Sequence, residues 1–350
     1  MSLSASLKIN PILRQAIMKQ KILFFFIALF LFSCEKDGIS ERLIASINFD
    51  VSERIFEGKK VSCVDFDPDG NAWIASVSSL IFYDGNNTKT YDAGSEIRDI
   101  SVGPDGKVWL ATKDRGLALF SDGKFTYYTK QNSGLPRDLI IAVEAAPDGS
   151  VWFSSSAHML GGLMHFDGKT FELFTPENSP INQNLIIDLK VDKNGNVFFS
   201  SEGTVTQAKV FMIDSRRNWK VLGGDVIFYW IAAIDVNSKS EVIVATDHSL
   251  SSCMGCYTNA VSIYRKGKWN KIEADFEMNG FRMFVDKRDF IWVQGSIKGD
   301  YYGYFVYDGK EWHRSEKGQI PDAFIYFVKV DSHNNIWFCT NDGIYILNQS

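Results

Sequence analysis

The stretch Gly103-Pro104-Asp105-Gly106-Lys107-Val108-Trp109-Leu110-Ala111-Thr112 decides the fold. A tight Pro-Asp-Gly turn feeds a short run rich in β-branched and aromatic residues, the signature of a strand leaving a hairpin. Working outward, Ile97 to Val102 reads as the strand before the turn. After Asp114-Arg115-Gly116 comes Leu117 to Phe120, and after Ser121-Asp122-Gly123 comes Lys124 to Tyr128. Four short strands joined by tight turns make one antiparallel unit.

The phrase recurs. Asp67-Pro68-Asp69-Gly70-Asn71-Ala72-Trp73, Pro147-Asp148-Gly149-Ser150-Val151-Trp152 and Asp192-Lys193-Asn194-Gly195-Asn196-Val197-Phe198 are close copies. Ser238-Lys239-Ser240-Glu241-Val242-Ile243 is degenerate, while Asp286-Lys287-Arg288-Asp289-Phe290-Ile291-Trp292 and Asp331-Ser332-His333-Asn334-Asn335-Ile336-Trp337 complete the set. The anchors stand at 73, 109, 152, 198, 243, 292 and 337. A period of about 45 residues fits a propeller blade of four strands. A helical repeat of similar period does not fit, because each copy alternates at period two between Gly-containing turns. The predicted fold is all-β: a seven-bladed β-propeller of four-stranded antiparallel blades. The seventh copy stops after its third strand, Gly343 to Leu347. Leu43 to Val51 reads as a lone strand, expected to pair with Ile344 to Leu347 and close the ring.

The pattern resembles the two-component regulator propeller repeat, in which Asp-x-x-Gly-x-Ile-Trp-Ile-Gly-Thr follows the inner strand. Asn132-Ser133-Gly134-Leu135-Pro136-Arg137-Asp138 matches that family's lead into the inner strand, and Asn178-Ser179-Pro180-Ile181-Asn182-Gln183-Asn184 is a looser copy. The resemblance covers roughly residues 43 to 348; Phe198 and Ile243 depart from it where Trp is expected. It implies an extracytoplasmic sensing propeller of the kind found in hybrid sensor kinases, where the ligands are oligosaccharides. This chain carries no kinase segment, so it looks like a stand-alone relative.

The N-terminus reads differently. Met18-Lys19-Gln20-Lys21 is a basic start, and Ile22 to Phe32 is an apolar run of eleven residues. Such a run is short for a membrane span but suits a signal peptide. Leu31-Phe32-Ser33-Cys34 resembles the bacterial lipobox, with Cys34 the lipidated residue. Residues 1–33 are thus expected to be an upstream extension (with Met1 or Met18 as start) plus signal peptide. Residues 34–42 would be a lipid-anchored linker and 43–350 the propeller. Localisation would be the cell envelope, at the outer membrane through the lipid anchor.

The 350 residues include 42 Asp and Glu against 37 Lys and Arg, and the net charge is −5. No clustered basic stretch appears, which excludes a nucleic-acid partner. Function on a propeller concentrates in variable loops on a rigid scaffold. The long loops Ser155–Gly162, Ser201–Lys209, Asp247–Ala260 and Gln294–Gly303 predict a raised wall over blades 3 to 6. Inner strands meet that face at Lys59, Lys60, Glu96, Arg98, Asp138, Asn184, Asp188, Tyr229, Trp230, Phe281, Arg282, Phe324 and Tyr326. Aromatic faces with Arg, Asp and Asn suit a neutral or acidic sugar.

Cys253 and Cys256 share the longest loop with His248. A zinc site needs four ligands and a redox motif a helix beside a parallel sheet, so a loop-stapling disulfide is the simpler reading. Cys63 and Cys339 read as buried free thiols. No nucleophile elbow, phosphate loop or metal-ligand His pair occurs, so no catalytic residue, metal or cofactor is assigned. Three readings remain: an oligosaccharide-binding lipoprotein, which is favoured; a module docking an envelope protein; and a polysaccharide lyase or hydrolase.

Overall fold

The computed structural model describes residues 47–155, 161–201, 208–223, 231–246, 261–274, 276–297, 301–319 and 323–349. They form seven four-stranded antiparallel sheets, a seven-bladed β-propeller. Strand one of each blade is innermost and strand four outermost. Blade 2 runs Ile97–Val102, Val108–Thr112, Leu117–Ser121 and Lys124–Tyr128, within a residue or so of the sequence reading. No helix among the described residues is long and apolar enough to cross a membrane. The lipobox and Cys34 lie outside the described residues, as do Cys253 and Cys256.

The Asp-x-x-Gly-Asn phrase folds as it does because its own side chains satisfy the turn. Asp67 Oδ1 accepts the backbone N–H of Asp69 and Asn71, at 3.1 and 2.9 Å, while Asn71 Nδ2 donates to Asp67 Oδ2. The Asp192–Asn196 and Asp331–Asn335 pairs repeat this arrangement. Such Asx bonding presets a turn before any tertiary contact forms. The fourth turn residue sits at positive φ in all seven copies: Gly70, Gly106, Gly149 and Gly195, then Ser240, Asp289 and Asn334. A side chain there is strained. The last three offset that cost by bonding to the preceding blade. Ser240 Oγ accepts from Asn194 Nδ2, Asp289 Oδ1 from Ser238 N, and Asn334 Oδ1 from Lys287 N. The degenerate copies therefore exchange glycine's freedom for a stitch between blades.

The core lies between blades rather than within one. Trp109 packs with Phe166, from the third blade, at 5.9 Å edge-on, and Trp73 with Phe120, from the second, at 5.4 Å. Trp152 joins Ile186, Leu189 and Phe199 of the fourth blade in one buried cluster. No blade buries both faces alone, so each depends on its neighbours. The aromatics after the outer turns, Phe125, Phe171, Trp269 and Trp312, all lie in or against these inter-blade clusters.

The seventh blade takes its outer strand from the N-terminal end of the ring. Glu53–Ile55 pairs antiparallel with Gly343–Leu347, Glu53 opposite Ile346 and Ile55 opposite Ile344. The pairing strand is thus Glu53–Ile55; of the Leu43–Val51 segment expected from alternation, residues 47–51 form no strand and residues 43–46 lie outside the described residues. Asn48 and Asp50 bond instead through side chains, Asn48 Nδ2 to the Asn348 carbonyl and Gln319 Nε2 to Asp50 Oδ1. The apolar pattern misled because Phe49 is buried, edge-on to Trp292 at 5.5 Å, as a plug and not as a ladder residue. The backbone approach at the seam is close: a Cβ on Gly343 would stand 2.7 Å from the Ile55 carbonyl oxygen.

Removing residues 51–56 uncovers Ile344 and Ile346, which are 0% and 4% exposed. Each exposed side chain costs about 1.5–3 kcal/mol. A markedly lower melting temperature is expected by calorimetry, and an unchanged one would show that the seam does not hold the ring.

Candidate functional site

The innermost strands enclose a cavity of about 690 Å³ on the ring axis. Its lining follows from strand register. Opposite the anchors stand Asp65, Ser101, Glu144, Lys190, Asp235, Phe284 and Lys329, of which the last five line the cavity. These residues and their neighbours two positions earlier carry the channel's charge.

An innermost strand pairs on one side only, so its other edge presents unpaired backbone N–H groups. Side chains of the preceding blade take them up. Asp65 Oδ2 accepts from Val102 N at 2.8 Å, Ser101 Oγ from Ala145 N at 2.9 Å, and Asp235 Oδ2 from Val285 N at 2.7 Å. Two residues earlier, Asp99 Oδ2 accepts from Val143 N at 3.0 Å and Asp188 Oδ2 from Ile234 N at 3.5 Å. Lys190 Nζ lies 3.1 Å from Glu144 and 3.4 Å from Asp188, and Lys329 Nζ 2.9 Å from Asp65.

This arrangement shifts the titrations. Burial pushes the Asp99 carboxyl up to about 7, against the pull of Lys190 and the Val143 N–H. Burial likewise pushes Asp235 up to about 6. Burial opposes the charge on Lys190, but Asp188, Glu144, Asp235 and Asp99 outweigh it and hold its pKa well above the ordinary value.

The mouth of the cavity is built by a local irregularity. In blades 2, 3, 5 and 7 the inner strand shifts register at its second residue, between Ile97 and Asp99, Ile140 and Ala142, Ile231 and Ala233, Ile325 and Phe327. A bulge leaves its extra residue unpaired and re-aims the side chain. The residues so placed, Arg98, Ile141, Ala232 and Tyr326, all line the cavity, as does Ile187 at the matching position of blade 4. Phe281 stands at the same register in blade 6, where the strand shifts between Met278 and Met283.

Beside this ring lies an aromatic platform. Phe324 is 64% exposed. Its ring stands edge-on to Tyr326 at 4.9 Å, and Lys60 Nζ lies 5.0 Å from the Tyr326 ring centre. The backbone beneath is fixed from both sides: Phe324 N donates to Asn341 Oδ1 at 3.0 Å, and Asn341 N to the Phe324 carbonyl at 3.2 Å.

Of the residues expected at this face, Arg98, Asp188 and Tyr326 line the cavity and Lys60 and Phe324 flank it. Glu96, outside the cavity lining, pairs with Lys113 at 3.2 Å, and three more fall elsewhere. Asp138 Oδ1 accepts from Lys130 N at 2.7 Å, holding the helical turn Lys130–Ser133 ahead of blade 3. Lys59 lies over the Phe56 ring at 5.6 Å, and its carbonyl accepts from Gly343 N. Asn184 is half-buried outside the cavity lining, its Oδ1 enclosed without a hydrogen-bond partner among the described residues. Tyr229 and Trp230, and the side chains of Phe281 and Arg282, lie outside the described residues, as does most of the expected wall over blades 3 to 5; in blade 6 the expected loop Gln294–Gly303 is instead mostly strand, Ile291–Ile297 pairing with Tyr301–Tyr307.

Sequence reasoning missed the interior residues Asp65, Glu144, Lys190, Asp235 and Lys329. Their common offset from the anchors was a usable signal. A second signal was the buried Ile directly ahead of Arg98, Ile141, Ile187, Ala232 and Tyr326. Cys63 and Cys339 are buried free thiols. A cluster not foreseen lies in the outer turn of blade 6, where ligand atoms of Asp308, Glu311 and His313 fall within 4.8 Å of one another. There His313 Nε2 lies 3.0 Å from Asp308 Oδ2, a contact that an ordinary His–carboxylate pair explains.

The fold and its axial cavity define the class: a seven-bladed propeller with a ring of inner-strand side chains at a ligand-sized mouth. No protein-family model matches the sequence, and no curated protein matches it. Solved structures match in fold. The extracellular domain of the one component system BT4673 from B. thetaiotaomicron is 16% identical with a TM-score of 0.62, over 85% of this chain and 40% of that one. The extracellular domain of the hybrid two component system BT3049 from the same organism is 14% identical, TM-score 0.62, over 86% and 42%. The GH74 xyloglucanase from Xanthomonas campestris is 15% identical, TM-score 0.60, over 85% and 52%. The chain thus spans about two fifths of the two extracellular domains and half of the xyloglucanase.

Because Asp99 and Asp235 sit above the ordinary carboxylate value of 3.8 in the folded state, folding takes up protons between about pH 4 and 7. Their contribution to stability is full at low pH and is lost as pH rises through about 6 and 7. His165 acts oppositely: burial and the nearby Arg217 charge lower it to about 4, so its contribution is lost as pH falls below 6.5. Asp99→Asn keeps an acceptor for Val143 N and removes the charge. The variant should gain melting temperature over wild type at pH 8 and gain little at pH 5; parallel pH profiles would contradict the assignment.

Proposed function

We propose that the protein is an extracytoplasmic lipoprotein whose propeller binds a small nutrient-derived molecule, an oligosaccharide, at the mouth of its axial channel. The observation that carries this reading is the platform of Phe324 and Tyr326 beside the cavity. An aromatic side chain exposed by 64% costs solubility and contributes nothing to the core, yet its backbone is held from both sides. A rigid aromatic face beside a polar cavity fits the apolar ring face and hydroxyls of a sugar. The bulged inner strands support the same reading, since four of them turn side chains toward one mouth. Extracellular propellers of bacterial sensor systems and a xyloglucanase share the fold, which is consistent with both an envelope location and a saccharide ligand. The Leu31-Phe32-Ser33-Cys34 sequence supports anchoring through Cys34.

A ligand that binds only the folded state raises the melting temperature. In a thermal-shift screen against plant and host oligosaccharides, one or more should raise it. Phe324→Ala should abolish that shift while leaving the ligand-free melting temperature within about 1 °C, because an exposed side chain contributes little to stability. Retention of the full shift in Phe324→Ala and in Tyr326→Ala would remove the mouth as the site. Lipidation is tested separately: a labelled fatty acid should enter the wild-type protein in cells and not Cys34→Ala.

A further inference from the structure

We propose that the ligand bound at the mouth carries a carboxylate, as a hexuronic acid residue does, and that Arg98 and Lys60 receive it. The inference rests on the mouth being the ligand site and specifies what that site selects.

The mouth is not uniform around the ring. Ile141, Ile187 and Ala232 form an arc over blades 3, 4 and 5 that offers neither charge nor hydrogen bond from its side chains. The facing arc, over blades 7, 1 and 2, holds Tyr326, Lys60 and Arg98. Both cations there are exposed, and neither has a carboxylate partner among the described residues. Nearby cations of the same face are already engaged: Lys113 pairs with Glu96 at 3.2 Å and Arg54 with Asp342. Lys60 is steadied by the Tyr326 ring, and Arg98 by the bulge that turns it out of the ladder.

The interior sets the orientation. One residue below Arg98 stands Asp99, followed inward by Asp188, Glu144 and Asp235 around Lys190. Carboxylates outnumber cations there, so an anionic group is repelled from the channel and attracted only at the mouth. An acidic sugar therefore binds with its carboxylate against Arg98 and Lys60, one ring face on Phe324 or Tyr326, and its hydroxyls toward the channel carboxylates, which accept hydrogen bonds. A planar guanidinium matches a carboxylate with two parallel bonds, so Arg98 is the more selective of the two cations.

The test uses the whole protein, titrated by calorimetry with uronate oligomers and with the same oligomers after carboxyl reduction. The acidic form should bind at least tenfold more tightly. Arg98→Gln and Lys60→Gln should each erode that preference, lowering the affinity for the acidic form by a larger factor than for the reduced form. Because both positions are exposed, the variants should keep the wild-type melting temperature. The preference should also weaken between low and high salt, as exposed charge pairs do. Equal binding of the two forms, both lost in Phe324→Ala, would overturn the acid selection and leave the mouth as a neutral-sugar site. Acidic binding untouched by Arg98→Gln and Phe324→Ala would place the anion elsewhere and overturn it too. Binding of neither form would remove the acid selection, whereas a thermal shift with another saccharide would still sustain the mouth.

Discussion

The unpaired inner edge of each blade is the constraint on which the rest of this molecule depends. Seven sheets set radially about an axis must leave seven strand edges facing the channel. Their N–H groups are too enclosed for free hydration and too far apart to pair as a ladder. Asp65, Asp99, Ser101, Asp188 and Asp235 resolve this by accepting from the inner strand of the next blade. A carboxylate is the strongest available acceptor for a backbone N–H. The same choice fills the channel with like charge. Lys190 and Lys329 then become necessary counter-ions, and the raised Asp99 and Asp235 record what compensation they leave undone. Electrostatics in the channel is thus a consequence of closing the ring.

The repeats differ in how they tolerate drift. Four copies keep glycine at the left-handed turn position, while Ser240, Asp289 and Asn334 accept strain there and gain a bond to the preceding blade. The fifth copy, weakest in sequence, retains the strand order of the others because its Ile243 still fills the anchor position at 0% exposure. What the fold requires at that position is apolar volume between blades; indole is one way to supply it.

The asymmetry of the mouth arises from the same freedom. Bulge residues lie outside the ladder, and of them only Ile141 packs against an inter-blade cluster, so folding places little demand on the identity of Arg98, Ala232 or Tyr326. Positions free of structural demand are where recognition can be written without loss of stability. Blades 7 and 1, which carry Tyr326 and Lys60, join their second and third strands by only two residues, 341–342 and 77–78.

The sequence by itself determined the class of fold, the number of blades and most strand limits. Those properties reside in local codes: Asp-Gly turns, period-two alternation and an anchor every 45 residues or so, each legible without knowing what lies across the ring. It also pointed to Arg98, Asp188 and Tyr326 by their offset from the anchors. Only the tertiary structure decided that Glu53–Ile55 pairs with the last strand while residues 47–51 do not, because Phe49 obeys a contact with Trp292 that no local pattern encodes. Only it separated Asp138 and Lys59, spent on a turn and on the seam, from the residues at the mouth. The charged interior belongs to the same category. A single Asp or Lys in an alternating strand looks solvated in sequence, and becomes part of one buried network only when seven strands are brought to one axis.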